Sequence, residues 1–184
     1  MTLIDDATCY CYVYLLKTKD EAFHYFKNFK AEVENQIERK IKRLRDDRGG
    51  EYISNEFSQF CAEHGIIHEV TPPYSPQSNG VAERKNWTLT DLVNAMLESS
   101  GMSYEWWEKA ILTANFVLNL VVTKNKDVTP YEGWKGHKPM SIFYAHGVVW
   151  QKSIYQRRKR ENLDTRRLIV CFWVTHKTAR LIDF

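Results

Sequence analysis

Asp47 and Glu83 are separated by 35 residues, and each stands where it could hand a carboxylate to a metal ion. Asp47 follows the apolar and basic run Ile41–Arg45 and precedes Gly49-Gly50. Glu83 falls in the first turn of an apolar-periodic stretch that opens after a segment rich in Pro, Gly, Ser and Asn, Thr71–Gly80. A strand end and a helix start can converge on one hard divalent cation, for which carboxylate oxygens suit better than thiols or imidazoles. Taken singly, each residue is ordinary: Asp is common in a turn before Gly-Gly, and an acidic residue in a first helical turn favours the helix dipole. Only the joint spacing and the flanking residues make them a pair. Other chemistry is less well served. Cys9, Cys11, Cys61 and Cys171 form neither a C-x-x-C pair nor a disulfide framework, and they read as buried free thiols. His64 and His68 straddle Gly65, a helix stop, so they share no helical face and a zinc site is not expected.

The elements that must position the two carboxylates can be read along the chain. Met1–Ile4 and Cys9–Leu16 flank a polar Asp5-Asp6-Ala7-Thr8 turn and predict an antiparallel hairpin. Thr18 with Glu21 fits a capping box, and Phe23, Phe26, Phe29, Val33 and Ile37 recur at helical spacing, which predicts a helix over 19–38 with an apolar stripe toward the core. Ile41–Arg45 reads as a strand, Ser54–His64 as a helix with Phe57, Phe60 and Cys61 inward, and Ile66–Val70 as a further strand. That alternation implies a parallel layer with crossover helices. Pro72, Pro73, Pro76 and Asn79-Gly80 exclude regular structure from the next segment. Two helices follow, Val81–Ser99 and Tyr104–Val121. Trp106 and Trp107, about 100° apart on the second, cannot both face the core. Thr129-Pro130 predicts a capped helical turn. Beyond about residue 140 the pattern changes to short β-type runs, Ile142–Trp150, Leu168–Val174 and Ala179–Ile182.

Composition sets the bounds. With 184 residues, 43% of them hydrophobic and 14% aromatic, the chain can bury one sizeable core and a small second unit. No run approaches the roughly 20 apolar residues of a membrane span, and no secretory signal opens the chain, so an intracellular protein with no membrane partner is expected. The net charge is only +3, yet Gln151–Arg167 concentrates seven basic residues, Lys152, Arg157, Arg158, Lys159, Arg160, Arg166 and Arg167, against Glu161 and Asp164. Such a concentration suits a polyanion, because neutralising phosphates releases counterions; a solvated linker is the plainer reading.

The runs Asp47-Arg48-Gly49-Gly50-Glu51-Tyr52 and Tyr74-Ser75-Pro76-Gln77-Ser78-Asn79-Gly80-Val81-Ala82-Glu83-Arg84-Lys85-Asn86, with Thr129-Pro130-Tyr131-Glu132-Gly133-Trp134 and Gly136-His137-Lys138-Pro139 further on, resemble the integrase catalytic core of copia-type LTR retrotransposons. The resemblance covers nearly the whole chain. It implies an α/β fold of the ribonuclease-H-like kind, a mixed sheet with flanking helices, over 1–140, followed by part of an SH3-like β unit with the basic linker over 141–184. It implies cutting and joining of DNA ends by two-metal phosphoryl transfer, with Mg²⁺ or Mn²⁺ held by an Asp, Asp, Glu triad of which Asp47 and Glu83 match the second and third members. DNA is the implied partner, with Arg84, Lys85 and the basic residues of 152–167 in contact with it, self-association accompanies activity, and the implied place of action is the nucleus.

The chain also departs from the family pattern. In the resemblance the first Asp lies on a central strand upstream of Met1, so the chain reads as N-terminally truncated, with two unpaired sheet edges and an incomplete metal site. Asp5 and Asp6 match the end of the family's second strand, which is not a ligand position. Asp46 points to the side of its strand opposite Asp47 and reads as incidental. Trp87 and Thr90 stand where related helices carry basic residues, and Arg48 where the family has Asn. The preferred reading is therefore an integrase core that is catalytically incomplete as given; the alternative is a non-catalytic nucleic-acid- or protein-binding remnant of a transposable element.

Overall fold

The computed structural model describes residues 1–46, 55–70, 80–123 and 126–139, and the backbone of 171–175. Strands β1 (Thr2–Asp5) and β2 (Cys11–Val13) form the predicted hairpin, with Leu3 opposite Tyr12. Helix α1 (Glu21–Ile37) follows, then β3 (Arg43–Asp46), α2 (Asn55–Glu63), β4 (Ile67–Val70), α3 (Gly80–Ser100), a 3₁₀ turn at Tyr104–Trp106, α4 (Trp107–Leu120), the short α5 (Pro130–Lys135) and β5 (Cys171–Thr175). One mixed five-stranded sheet runs in the order β2-β1-β5-β3-β4. β3 and β4 are parallel, as their crossover through α2 requires.

Pleating sends neighbouring residues of β1 to opposite faces, and each face has its own core. Leu3, with Met1 and Leu44, packs against Phe26, Phe29 and Val33 of α1 and Phe57 and Cys61 of α2. Ile4 joins Cys11 beneath Ala82, Leu89, Leu92 and Met96 of α3 and Ile111 and Ala114 of α4. The sheet is thus covered on both sides, as a largely apolar sheet must be. On the outer edge, Asn119 of α4 closes the hydrogen bonding of β2: its Oδ1 accepts from the Cys11 N–H (3.0 Å) and its Nδ2 donates to the Cys11 carbonyl (2.8 Å), where Asn115 Nδ2 also donates (2.9 Å). An edge strand so covered cannot pair with a foreign strand.

The centre of the sheet differs from expectation. The gap expected between the hairpin and β3 is filled by β5, which runs parallel to β1 and antiparallel to β3. Of the β unit expected over 141–184, only Cys171–Thr175 lies within the described residues, and it pairs within this sheet. The start of α1 also departs from the predicted capping box. Asp20, not Thr18, holds the N-cap position without a side-chain bond, while Glu21 Oε2 accepts from the Lys17 N–H (3.0 Å). The cap of α5 is as predicted: Thr129 accepts from the Glu132 N–H and Pro130 opens the helix.

Candidate metal centre

Glu83 is exposed in the first turn of α3. Two interactions fix where that turn sits. Ala82 is fully buried in the core shared with α4, and Thr2 Oγ1 at the start of β1 donates to Asn86 Oδ1 (3.1 Å), one helical turn beyond Glu83. The sheet register then ties this turn to β3. Thr2 lies opposite Cys171 and Asp46 lies opposite Phe172, so the start of β1 and the end of β3 share one end of the sheet, one residue apart in level along β5. The first turn of α3 is therefore held over the end at which β3 stops and the chain proceeds to Asp47. Asp47 and the Gly49-Gly50 turn lie outside the described residues, as do the basic residues of 152–167.

Asp5 and Asp6 are at the other end. Asp5 lies opposite Val174, and its side chain is consumed by the hairpin turn: Oδ2 accepts from the Thr8 N–H and the Thr8 hydroxyl, both at 2.7 Å. Asp6 is exposed beyond it. Neither stands at the end of the sheet where Glu83 and β3 converge.

Asp46 is not incidental. It is buried beside Leu44, and its Oδ2 lies 2.9 Å from His68 Nε2 on the neighbouring strand. The His68 ring packs edge-on against Phe57, with centroids 5.2 Å apart. The pair anchors the last residue of β3, immediately before Asp47. Burial, reinforced by the Asp46 carboxylate, raises the Cys61 thiol to about 11. The sequence does carry a signal for the pair, since His68 and Val70 alternate with Ile67 and Glu69 on a strand beside β3. On the other face of β3, Arg43 and Arg45 both reach Glu69 (2.7 and 2.9 Å).

The basic residues flanking Glu83 divide. Arg84 is exposed, whereas Lys85 is half-buried and burial lowers its amine below the usual lysine range, partly offset by the Cys11 and Cys9 thiols. Trp87, one turn past Glu83, is 75% exposed. Trp106 is also exposed while Trp107 packs into the core, the division their angular separation demands. Among the described residues no group of three or more His, Cys, Asp or Glu side chains could hold a metal ion, and no helix is long and apolar enough to cross a membrane. The donors available at this end of the sheet fit one hard divalent ion through Glu83 and the Asp47 that follows β3. The described residues there do not supply a third carboxylate.

Comparison with known proteins agrees with this geometry. Residues 1–76 match the integrase core domain family. The chain is 49% identical over 119 residues to the retrovirus-related Pol polyprotein from transposon TNT 1-94 of Nicotiana tabacum, covering 65% of this chain and 9% of that polyprotein. It spans about a tenth of the length of the curated relatives it matches. Among solved structures, a chain of the simian T-cell lymphotropic virus intasome in complex with PP2A regulatory subunit B56 gamma superposes with a TM-score of 0.59 at 22% identity, covering 75% of this chain and 48% of that one. The HTLV-2 integrase catalytic core domain in complex with magnesium, in a trimeric form, superposes with a TM-score of 0.53 at 22% identity, covering 71% and 80%. The chain is thus similar to copia-type retrotransposon integrases in sequence, and its fold is that of the retroviral integrase catalytic cores.

Proposed function

We propose that this chain is an integrase-core protein of the retrotransposon kind that binds a divalent cation and DNA, and that alone it does not join DNA ends. The observation that carries the reading is the Thr2–Asn86 hydrogen bond taken with the sheet register, which brings the Glu83 turn to the end of β3 that leads into Asp47. Glu83 and Asp47 would hold one Mg²⁺ or Mn²⁺, which supplies charge neutralisation at a phosphodiester. Asp46, pinned by His68, sets the direction in which the chain leaves β3. Exposed Arg84 contributes phosphate contact, and Trp87 offers a face on which a base can stack. The basic residues of 152–167 supply the larger, sequence-independent share of DNA affinity. Acting on DNA puts the protein in the nucleus.

Strand transfer needs two ions and a ligand that bridges them. That ligand would come from the strand beside β3. There the chain places Cys-Phe-Trp-Val-Thr, which has no carboxylate, while Asp5 is engaged at the far end. This favours binding without chemistry. Titration calorimetry with MnCl₂ tests the site: one ion per chain is expected, lost on Asp47→Asn or Glu83→Gln, and undiminished binding in both variants would refute it. Neutralising Arg157, Arg158, Lys159 and Arg160 should flatten the salt dependence of DNA binding by roughly 0.9 in log–log slope for each phosphate that is no longer neutralised. An unchanged slope would place the phosphate-binding surface elsewhere.

A further inference from the structure

Four of the five strands come from residues 2–70, yet β1 and β3 do not pair with each other. They are joined only through β5, which makes four register pairs with each wall: Thr2 to Asp5 against Cys171 to Val174 on one side, and Arg43 to Asp46 against Thr175 to Phe172 on the other. Without β5 the two walls would stand about 9.6 Å apart, two strand spacings, and each would expose a row of backbone donors and acceptors. Such a gap is a template for an incoming strand. Because β1 and β3 run antiparallel to each other, a strand entering in either direction meets one wall in parallel and the other in antiparallel register. Polarity therefore does not exclude an occupant.

The walls also define its chemistry. Arg43 and Arg45 are paired with Glu69, and the Asp5 carboxylate is engaged by Thr8, so none of these wall charges calls for a countercharge. An uncharged, proline-free strand of aromatic and β-branched residues fits, and Cys171–Thr175 is one. It is reached from α5 through residues 136–170, a connection that when extended spans on the order of 100 Å. The same segment of another copy can enter with identical register.

We propose that the gap between β1 and β3 is a strand-exchange site and that a second copy of this chain supplies the strand, Cys171–Thr175 of each copy seating in the other's sheet. The proposal does not depend on the integrase reading. Seating in cis is favoured at low concentration, since a tether of this length holds its strand at an effective concentration of about a millimolar. Exchange should then appear when the sheet is opened and reclosed at comparable protein concentrations.

The test is a disulfide trap in the full chain with Cys9, Cys11 and Cys61 replaced by Ala. Thr2→Cys faces native Cys171 across the parallel pair, and separately Arg43→Cys with Thr175→Cys, in a Cys171→Ala background, bridges the antiparallel pair. After unfolding, refolding and oxidation, non-reduced peptide mapping and light scattering distinguish bonds within a chain from bonds between chains. Expected is an intrachain bond after refolding at about 10 μM, with the ratio of cross-linked dimer to monomer rising about tenfold for each tenfold increase in concentration. Val174→Pro should abolish both products. Absence of a bond in both traps would show that β5 does not occupy the gap, and intrachain bonds at every concentration would show that the strand does not exchange. The second trap keeps the test decisive if loss of the Thr2–Asn86 bond unfolds the first.

Discussion

The two ends of the sheet use the same residue types in opposite ways. At the hairpin end a carboxylate is buried and spent on structure: Asp5 accepts two hydrogen bonds from Thr8, and Thr8 packs so close to Gly133 of α5 that a Cβ added there would lie 3.1 Å from its methyl group. Lys126 donates to the Ala7 carbonyl and lies 3.4 Å from Cys9 Sγ, closing the turn. At the α3 end the carboxylate of Glu83 is exposed, and the polar bonds around it, Thr2 to Asn86 and His68 to Asp46, hold the elements that present it without engaging it. An acid that is satisfied locally is a structural residue; an acid left unsatisfied on a rigid frame is available to a cation. The contrast explains why proximity in sequence to an apolar strand does not make Asp5 a ligand.

The sharpest way to break the hairpin end is at its covered edge. Asn119→Ala leaves the Cys11 N–H and carbonyl without Asn119 in a buried setting and should cost about 2–4 kcal/mol, read as a lower urea midpoint with an unchanged slope. Asp5→Ala should cost less, about 2 kcal/mol, because the freed Thr8 groups are only partly buried and can reach water. Neither should alter cation affinity by as much as twofold. A tenfold loss of Mn²⁺ affinity in Asp5→Ala would mean that the two ends are not independent.

Much of this division is legible in the sequence where the determinant is local. The apolar spacing of Phe26, Phe29 and Val33 specifies the buried stripe of α1, Thr129-Pro130 specifies the start of α5, and the Asp5-to-Thr8 polar run specifies a turn. What cannot be read is long-range. Cys171–Thr175 declares itself a strand by composition, but its partners are decided by which edges are unfilled, and those belong to residues far away in the chain. Asp46 looks incidental in sequence because its partner is a histidine on another strand, and Lys85 looks like a surface cation because nothing nearby in sequence says which side of α3 meets the sheet. Glu83 is readable as a candidate because its flanking residues and its spacing from Asp47 both lie within the chain.

Alkaline titration probes the packing beneath each end. Burial raises Tyr10, stacked on Trp134 near the hairpin turn, to about 12, and burial with the nearby Asp46 raises Cys61, under β3, to about 11. Both groups ionise more readily in the unfolded chain, so their contribution to stability is complete below about pH 9 and falls as pH rises, through pH 11 for Cys61 and pH 12 for Tyr10. Asp46→Asn should lower the Cys61 pKa and leave that of Tyr10 alone, checked by thiolate and tyrosinate absorbance. A shift in both would show that a single opening event governs them.

The smallest change in stability should come from the residue with the largest part in binding. Glu83 is exposed in the first turn of α3, where its charge favours the helix dipole by only about 0.3–1 kcal/mol. Glu83→Gln keeps the side-chain shape and helix propensity, so the thermal midpoint should drop by no more than about 2 °C. Cation affinity should fall at least about tenfold, because one of the two charged donors proposed for the ion is gone. Asp5→Asn is the matched control: the same loss of one charge, a measurable loss of stability, and no change in cation affinity. If the two substitutions lowered cation affinity equally, the assignment of binding to the α3 end and of structure to the hairpin end would fail.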